Sequence, residues 1–112
     1  MPNLRQEKIS SLLKRLAAEF FLKNVGEPGV LASATKAEIS ADLRNVKIFF
    51  SVLPENQERK ILKQLFALKK DFRRHIARGL KIKFIPHFIF LIDDSIKKQE
   101  KFNKALDALN KV

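Results

Sequence analysis

Apolar positions recur at steps of three and four residues in three parts of the chain, the spacing of one face of an α-helix. The first part begins at Asn3, a candidate N-cap, and continues to about Lys23. The second begins at Asn56, another candidate N-cap, and ends at Gly79, where a glycine would terminate a helix. The third follows Asp93 near the C-terminus. The pattern therefore predicts three helices.

The intervening segments have the composition and alternation of β-strands. Val30 to Ser40 is rich in β-branched and small residues, and Val46 to Leu53 alternates apolar with other residues. The short connection Ala41 to Asn45 predicts an antiparallel hairpin between them. Lys81 to Ile92 predicts a third strand, in which Pro86 needs an edge position or a bulge because it has no amide donor. The order α-β-β-α-β-α predicts an α+β domain whose three-stranded sheet is covered by helices on one face.

Length and composition limit the possible functions. The 112 residues suffice for one domain, and without cysteine the chain has neither disulfides nor thiolate metal ligands. No run approaches the roughly 18 apolar residues of a membrane span, and no signal-peptide pattern is present. We therefore expect a cytoplasmic monomer. Only two histidines and three glycines occur, and none lies in a catalytic, metal-binding or phosphate-binding motif. The sequence predicts a protein that is not an enzyme and uses no cofactor.

Positive charge is concentrated in the second predicted helix and the segment after it. From Glu55 to Lys83 there are ten basic and three acidic residues, so this stretch supplies +7 of the formal charge of +11. At 100° per residue, six cations fall within a sector of roughly 100° opposite the apolar positions. These six are Arg59, Lys60, Lys63, Lys70, Arg74 and Arg78. Candidates to extend the patch are Arg44, Lys47, Lys81 and Lys83.

A face of cations of one sign repels itself unless an anion binds to it. Nucleic acid is the first candidate partner, since the sequence pI is near 10.2. An anionic membrane surface is the second, although it requires exposed apolar residues beside the cations, for which Phe66 is the one candidate. A protein-interaction adaptor is the third. Simple solubility would not require the cations to cluster.

Two stretches resemble signatures of the ribosome-binding factor A family. The sequence SADLRNVK from Ser40 to Lys47, followed by Ser51-Val52, is similar to the family pattern S-x-D-L-x-x-A-K…S-V, with Val46 in the alanine place. The sequence IPHF from Ile85 to Phe88, followed by DDSI, is similar to the family ending V-P-x-L…D-x-S-I. Length and element order match as well, so the resemblance covers nearly the whole chain.

The resemblance implies a KH-like (type II) RNA-binding domain over residues 1–92 and a C-terminal helix or tail over 93–112. It implies a factor that binds the small ribosomal subunit and its precursor rRNA, assists late maturation and 5′-end processing, and supports growth in the cold. No membrane partner is implied.

Family members interrupt the second long helix at an Ala-x-Gly, whose place is taken here by Leu68-Lys69-Lys70. An uninterrupted helix would keep the six cations in one sector. An interrupted helix would split that sector in two and bring Lys69 and Arg73 into the RNA-binding surface.

Overall fold

The computed structural model describes residues 3–110, apart from the side chains at 96 and 97. Its elements in chain order are α1 (Leu4–Asn24), β1 (Leu31–Ile39), β2 (Asn45–Leu53), α2 (Glu58–Ala67), α3 (Lys69–Leu80), β3 (His87–Ile92) and α4 (Ser95–Asn110). A short 3-10 helix, Glu55–Gln57, precedes α2. The predicted α+β order is confirmed, with the second helix divided in two.

The three strands form one mixed sheet in the order β1-β2-β3. β1 and β2 are antiparallel, as the predicted hairpin requires, with a register shift between Ala34 and Lys36 that makes Thr35 a bulge residue. β3 runs parallel to β2 and begins at His87 rather than at the predicted Lys81. The prediction of a longer third strand was wrong because residues 81–86 are irregular and end in the donor-less Pro86.

Helices cover one face of the sheet, which confirms the predicted layering. Along the central strand Val46, Ile48, Phe50 and Val52 are buried on that face. At the centre of the core Phe72 of α3 meets three rings edge-on: Phe20 at 5.2 Å, and Phe88 and Phe90 both at 5.1 Å between centroids. Edge-to-face aromatic contacts of this kind add to the burial of the ring area. The centre of the core therefore lies where α1, α3 and β3 meet, and buried residues of β1, β2 and α2 complete it.

The second long helix is interrupted at Leu68. That residue has φ −92° and ψ 6°, outside the helical region, and separates α2 from α3. Of the two arrangements left open by the sequence, the interrupted one is therefore correct. Asn56 is not the N-cap that was predicted, because it lies inside the 3-10 helix and α2 begins at Glu58.

Gly79 does not end the helix, contrary to prediction. α3 continues to Leu80, and Lys81 follows in the left-handed conformation with φ 52°. A Cβ on Gly79 would lie 2.8 Å from Cδ1 of Leu16, a residue of α1 that is itself buried. The glycine is therefore needed for the close approach of α3 to α1.

The C-terminal helix α4 starts where the sequence predicts. Asp93 accepts hydrogen bonds from the Ser95 amide at 2.9 Å and from the Thr35 hydroxyl at 2.5 Å, and bonds from Ser95 and Thr35 lower the pKa of Asp93. Every residue from Lys98 to Asn110 is exposed, including the apolar ones. Within residues 3–110 no helix is both long and apolar enough to cross a membrane.

Candidate nucleic-acid interface

α3 exposes a line of cations on the side opposite its buried residues. Lys70, Arg74 and Arg78 are spaced four residues apart and are all exposed, whereas Phe72 and Ile76 are completely buried. The one acid in this line is Asp71, whose carboxylate lies 3.6 Å from the Arg74 guanidinium. Because that pair is exposed, it leaves Arg74 accessible to a stronger anionic partner.

Two further cations lie on the flank of α3. Lys69 and Arg73 are half-buried, one turn apart, and lie beside the exposed line. Long cationic side chains at half-buried positions can bury their aliphatic stems and still reach solvent with their charged ends.

α2 contributes the cations that precede the interruption. Arg59, Lys60 and Lys63 are exposed, but Lys60 is paired with Glu27, whose carboxylate lies 2.6 Å from Nζ. Glu27 belongs to the loop after α1, which Gln64 holds against α2 by accepting a hydrogen bond from the Gly26 amide at 2.9 Å. This loop is a connection that partly neutralises one end of the surface.

Because the helix is interrupted, the single sector of six cations predicted for an uninterrupted helix is divided into two groups. Arg59, Lys60 and Lys63 belong to α2, and Lys70, Arg74 and Arg78 belong to α3. We call the two groups together the basic face.

A groove of about 240 Å³ runs between the interruption and β3. Its helix side is formed by Leu62, Phe66 and Lys69, and its strand side by β3 from His87 to Phe90. Phe66 is 80% exposed and Ile89 is 42% exposed. Among residues 3–110, β3 is an edge strand whose outer backbone groups have no strand partner. We call this the edge groove; an apolar floor beside a cation and a free strand edge can hold an unstacked base.

A second depression lies at the end of the sheet where the β1–β2 turn is located. Arg44 from that turn and Lys83 from the segment before β3 line it, together with Arg5 of α1 and Phe84. Arg44 and Lys83 were predicted from the sequence as candidates for the basic patch, but Arg5 was not. Only the packing of α1 brings Arg5 close to the other two. Lys81 is exposed nearby in the chain.

Lys47 is separated from the other candidates. It is exposed on the open face of the sheet, opposite Glu38 of β1 in the strand register, while α1, α2 and α3 cover the other face. Glu38 also pairs with Lys36 at 2.7 Å, and its hydrogen bond raises the pKa of Lys36. A mixed-sign surface therefore surrounds Lys47, unlike the basic face.

Comparison with known proteins identifies the family. Residues 5–106 match the family model described as ribosome-binding factor A, which is nearly the whole chain. The chain belongs to the ribosome-binding factor A family.

Curated members of the ribosome-binding factor A family align over almost their full length. The protein from Thermodesulfovibrio yellowstonii is 36% identical over 112 residues, covering 98% of this chain and 94% of that protein. The protein from Dictyoglomus thermophilum is 32% identical over 108 residues, covering 94% and 90%.

Solved structures of the same family share the fold. The crystal structure of ribosome-binding factor A from Thermus thermophilus has a TM-score of 0.66 at 21% identity, covering 78% of this chain and 94% of that one. A homology model of the Thermus factor, fitted into a cryo-EM map of a 30S complex, matches with the same TM-score and identity over 76% and 91%. The four helices and mixed sheet described here are thus the fold of this family.

The family is one of ribosome-binding factors. Over the part of the chain that the structure describes, no three His, Cys, Asp or Glu side chains gather in a group that could hold a metal ion.

Proposed function

We propose that this protein binds the small ribosomal subunit and its precursor rRNA, and that it assists late maturation and 5′-end processing, including in the cold. The observation that carries the proposal is the basic face, two groups of exposed cations, one on each of the helices either side of the Leu68 interruption. Phosphate oxygens fit such groups, because neutralising the phosphates releases counterions from the nucleic acid.

The residues divide into roles by their position. Lys63, Lys70, Arg74 and Arg78 contact phosphates, and Lys69 and Arg73 join them from the flank of α3. Arg59 and Lys60 extend the contact, although Lys60 must first exchange Glu27 for phosphate. Arg44, Lys81 and Lys83 form an outlying contact, and Lys47 contributes less because it lies on the open face of the sheet.

The likeness to the Thermus thermophilus factor, which was fitted into a 30S complex, supports the choice of partner. Membership of the family supports the choice of process. We propose further that the protein acts as a monomer in the cytoplasm, without a cofactor and without catalysing a reaction.

A basic peripheral protein that binds anionic membranes is the second candidate function. Exposed apolar residues lie closer to the cations than the sequence indicated, because Leu62 joins Phe66 beside Lys63 and Phe84 adjoins Lys83. Surface binding to lipid needs that combination. The rRNA proposal is preferred because the edge groove also offers a free strand edge, which lipid cannot use. A protein-interaction adaptor is the remaining rival.

Sedimentation separates these functions. The purified chain is mixed at low salt with immature small subunits, with mature small subunits, or with anionic vesicles free of RNA. We expect it to pellet with subunits, in larger fraction with the immature ones, and to stay at the bottom when the vesicles float. Flotation with vesicles and failure to pellet with either subunit would overturn the proposal. A protein partner retained from lysate after nuclease treatment would instead indicate an adaptor.

Cells lacking the protein provide the test of processing. We expect them to accumulate small-subunit rRNA precursors extended at the 5′ end, more strongly in the cold, and to recover when the chain is supplied. Normal 5′ ends in such cells would remove the processing role while leaving subunit binding intact.

A further inference from the structure

Three separate chain segments meet at a cavity of about 650 Å³ beside the β1–β2 turn. α1 contributes Arg5, the turn contributes Asp42 and Arg44, and the segment between α3 and β3 contributes Lys83 and Phe84. Three cations and one acid thus face the cavity. Cations that converge from distant parts of the sequence, rather than from one helix, form a surface suited to an anion.

The turn that presents Arg44 is held in place by a network of hydrogen bonds. The Asp42 carboxylate accepts from the Ser40 hydroxyl at 2.6 Å and from the Arg44 amide at 3.0 Å, and these bonds lower the pKa of Asp42. The Arg44 carbonyl in turn accepts from the His87 amide at 2.8 Å, which ties the turn to the first residue of β3. The one acid of the cavity is therefore engaged by its own turn, and the Arg44 backbone is fixed.

Phe84 is a large apolar side chain left in solvent at this cationic site. It is 79% exposed, and Lys83 Nζ lies 5.6 Å from the centre of its ring. Burial in the core does not explain this ring, although Leu43 and Ile82 also line the cavity and are half-buried. A flat ring beside cations is the combination with which proteins hold an unpaired nucleotide.

We propose that this cavity, the Phe84 cavity, binds an unpaired nucleotide of single-stranded RNA. The base stacks on Phe84, and the adjoining phosphate faces Arg5, Arg44 and Lys83. A paired base cannot do this, because its faces are covered by its neighbours in the helix. The inference rests on the proposed RNA-binding function and adds to it a second contact that distinguishes single-stranded from duplex RNA.

A binding assay with a short, labelled, uridine-rich RNA tests the proposal, using the single strand and the same strand annealed to its complement. Phe84→Ala should weaken binding of the single strand by about 5- to 150-fold, the loss of one stacked base. Its effect on the duplex should be small. Phe84→Leu, which keeps apolar bulk without the aromatic ring, should lose most of the same affinity. Phe102→Ala is the matched control, since Phe102 of α4 is also exposed, at 64%.

The cations of the cavity have a separate readout. Arg5→Gln and Arg44→Gln should each reduce the slope of log affinity against log salt by about 0.7, the coefficient for single strands. Phe84→Ala should leave the slope unchanged, because it removes no charge. The melting temperatures of Phe84→Ala, Arg5→Gln and Arg44→Gln, measured by circular dichroism, should be close to that of the wild type, because these residues are exposed.

Several results would contradict the inference. If Phe84→Ala and Phe102→Ala bind the single strand equally well, no base stacks on Phe84. If Phe84→Ala weakens duplex and single strand alike, the site does not select an unpaired base. Binding of anionic vesicles that depends on Phe84 would assign the cavity to lipid. These failures leave the proposed function standing if the wild type still binds RNA through the basic face, whereas a wild type that binds no RNA overturns both.

Discussion

α3 and α4 are both predicted from apolar residues at helical spacing, and both carry several cations, yet the fold uses them differently. α3 buries Phe72, Ile76 and Leu80, with at most 9% of any of them exposed. α4 leaves Phe102 and Leu109 more than 60% exposed. Amphipathic spacing therefore predicts that a helix forms, but not that its apolar side finds a partner.

α3 and α4 also differ in the balance of their charged residues. α3 contains five basic residues and one acidic residue, whereas α4 contains four basic and two acidic residues. At the start of α4 an ion pair joins Lys98 to Asp94, the residue before the helix, at 3.4 Å, with both side chains mostly exposed. A helix held rigidly against a core can present cations in a fixed array, and α3 does so. An exposed helix of mixed sign is suited to solubility or to a later contact.

The largest expected effect comes from the core side of α3. Phe72→Ala should cost about 3–5 kcal/mol of unfolding free energy, because it leaves a cavity among three rings. Phe102→Ala on α4 should stay within about 0.5 kcal/mol. Urea denaturation measures both. Equal losses would mean that α4 is packed as firmly as α3 and that the contrast between the helices is wrong.

A smaller loss is expected where α3 crosses α1. Gly79→Val should cost about 1–3 kcal/mol, because its side chain would overlap Leu16. In a protein that already carries Leu16→Ala, the same substitution should cost much less, since the space is open. The coupling energy is obtained from the thermal or urea unfolding of the wild type, the two single variants and the double variant. Additive losses would show that the two helices do not meet at Gly79.

The junction between the sheet and α4 should give a modest, pH-dependent effect. Because the pKa of folded Asp93 is below its ordinary value, the ionised carboxylate favours the folded state. That contribution is present above the unfolded pKa, about 3.9, and is lost as pH falls through the lower folded value. Asp93→Asn should therefore reduce the urea midpoint at neutral pH, and this effect should disappear as the pH falls below the lowered pKa of folded Asp93. A difference independent of pH would contradict this; Asp107→Asn on α4 controls for the change of charge.

The smallest loss of stability is expected from removing the C-terminal helix. We propose that residues 1–92 form the folding unit and that 93–112 are an appended helix. A chain ending after Asp94 keeps the Thr35–Asp93 contact and should unfold in one transition, within about 1 kcal/mol of the full chain. A molten or unfolded truncated chain, judged by circular dichroism and urea titration, would make α4 part of the domain.

Much of the fold could be predicted from the sequence because local signals agreed with tertiary packing. Asn3 and Gln6 form a full capping box at α1, and the alternation of Val46 to Val52 gave the buried face of β2. The helix interruption could not be predicted from residue type, since neither glycine nor proline occurs near Leu68. There only the resemblance to the family raised the possibility.

Only part of the candidate site could be predicted from the sequence. Helical periodicity places the cations of a single helix, so the line of cations on α3 was predicted. Contacts between distant segments leave no local pattern, so Arg5 beside Arg44 and the groove between Phe66 and Ile89 were missed. The role of Gly79 was misjudged because the sequence does not distinguish a glycine needed for close approach of two helices from one that ends a helix.

The central claim is that the basic face, and not net charge, binds small-subunit rRNA. Two variants with equal charge loss separate these possibilities. The first replaces four residues of the basic face with Gln: Lys63, Lys70, Arg74 and Arg78. The second replaces four lysines of α4 with Gln: Lys97, Lys98, Lys101 and Lys104.

The deciding measurement is the affinity of wild type and both variants for small ribosomal subunits across a salt series. For the six proposed phosphate contacts the wild-type slope of log affinity against log salt should be about −5, using the duplex coefficient. The basic-face variant should lose about 3.6 units of that slope with its melting temperature nearly intact, and the α4 variant should keep it. Equal losses in both variants would mean that only net charge matters, and no loss in the first would mean that RNA binds elsewhere.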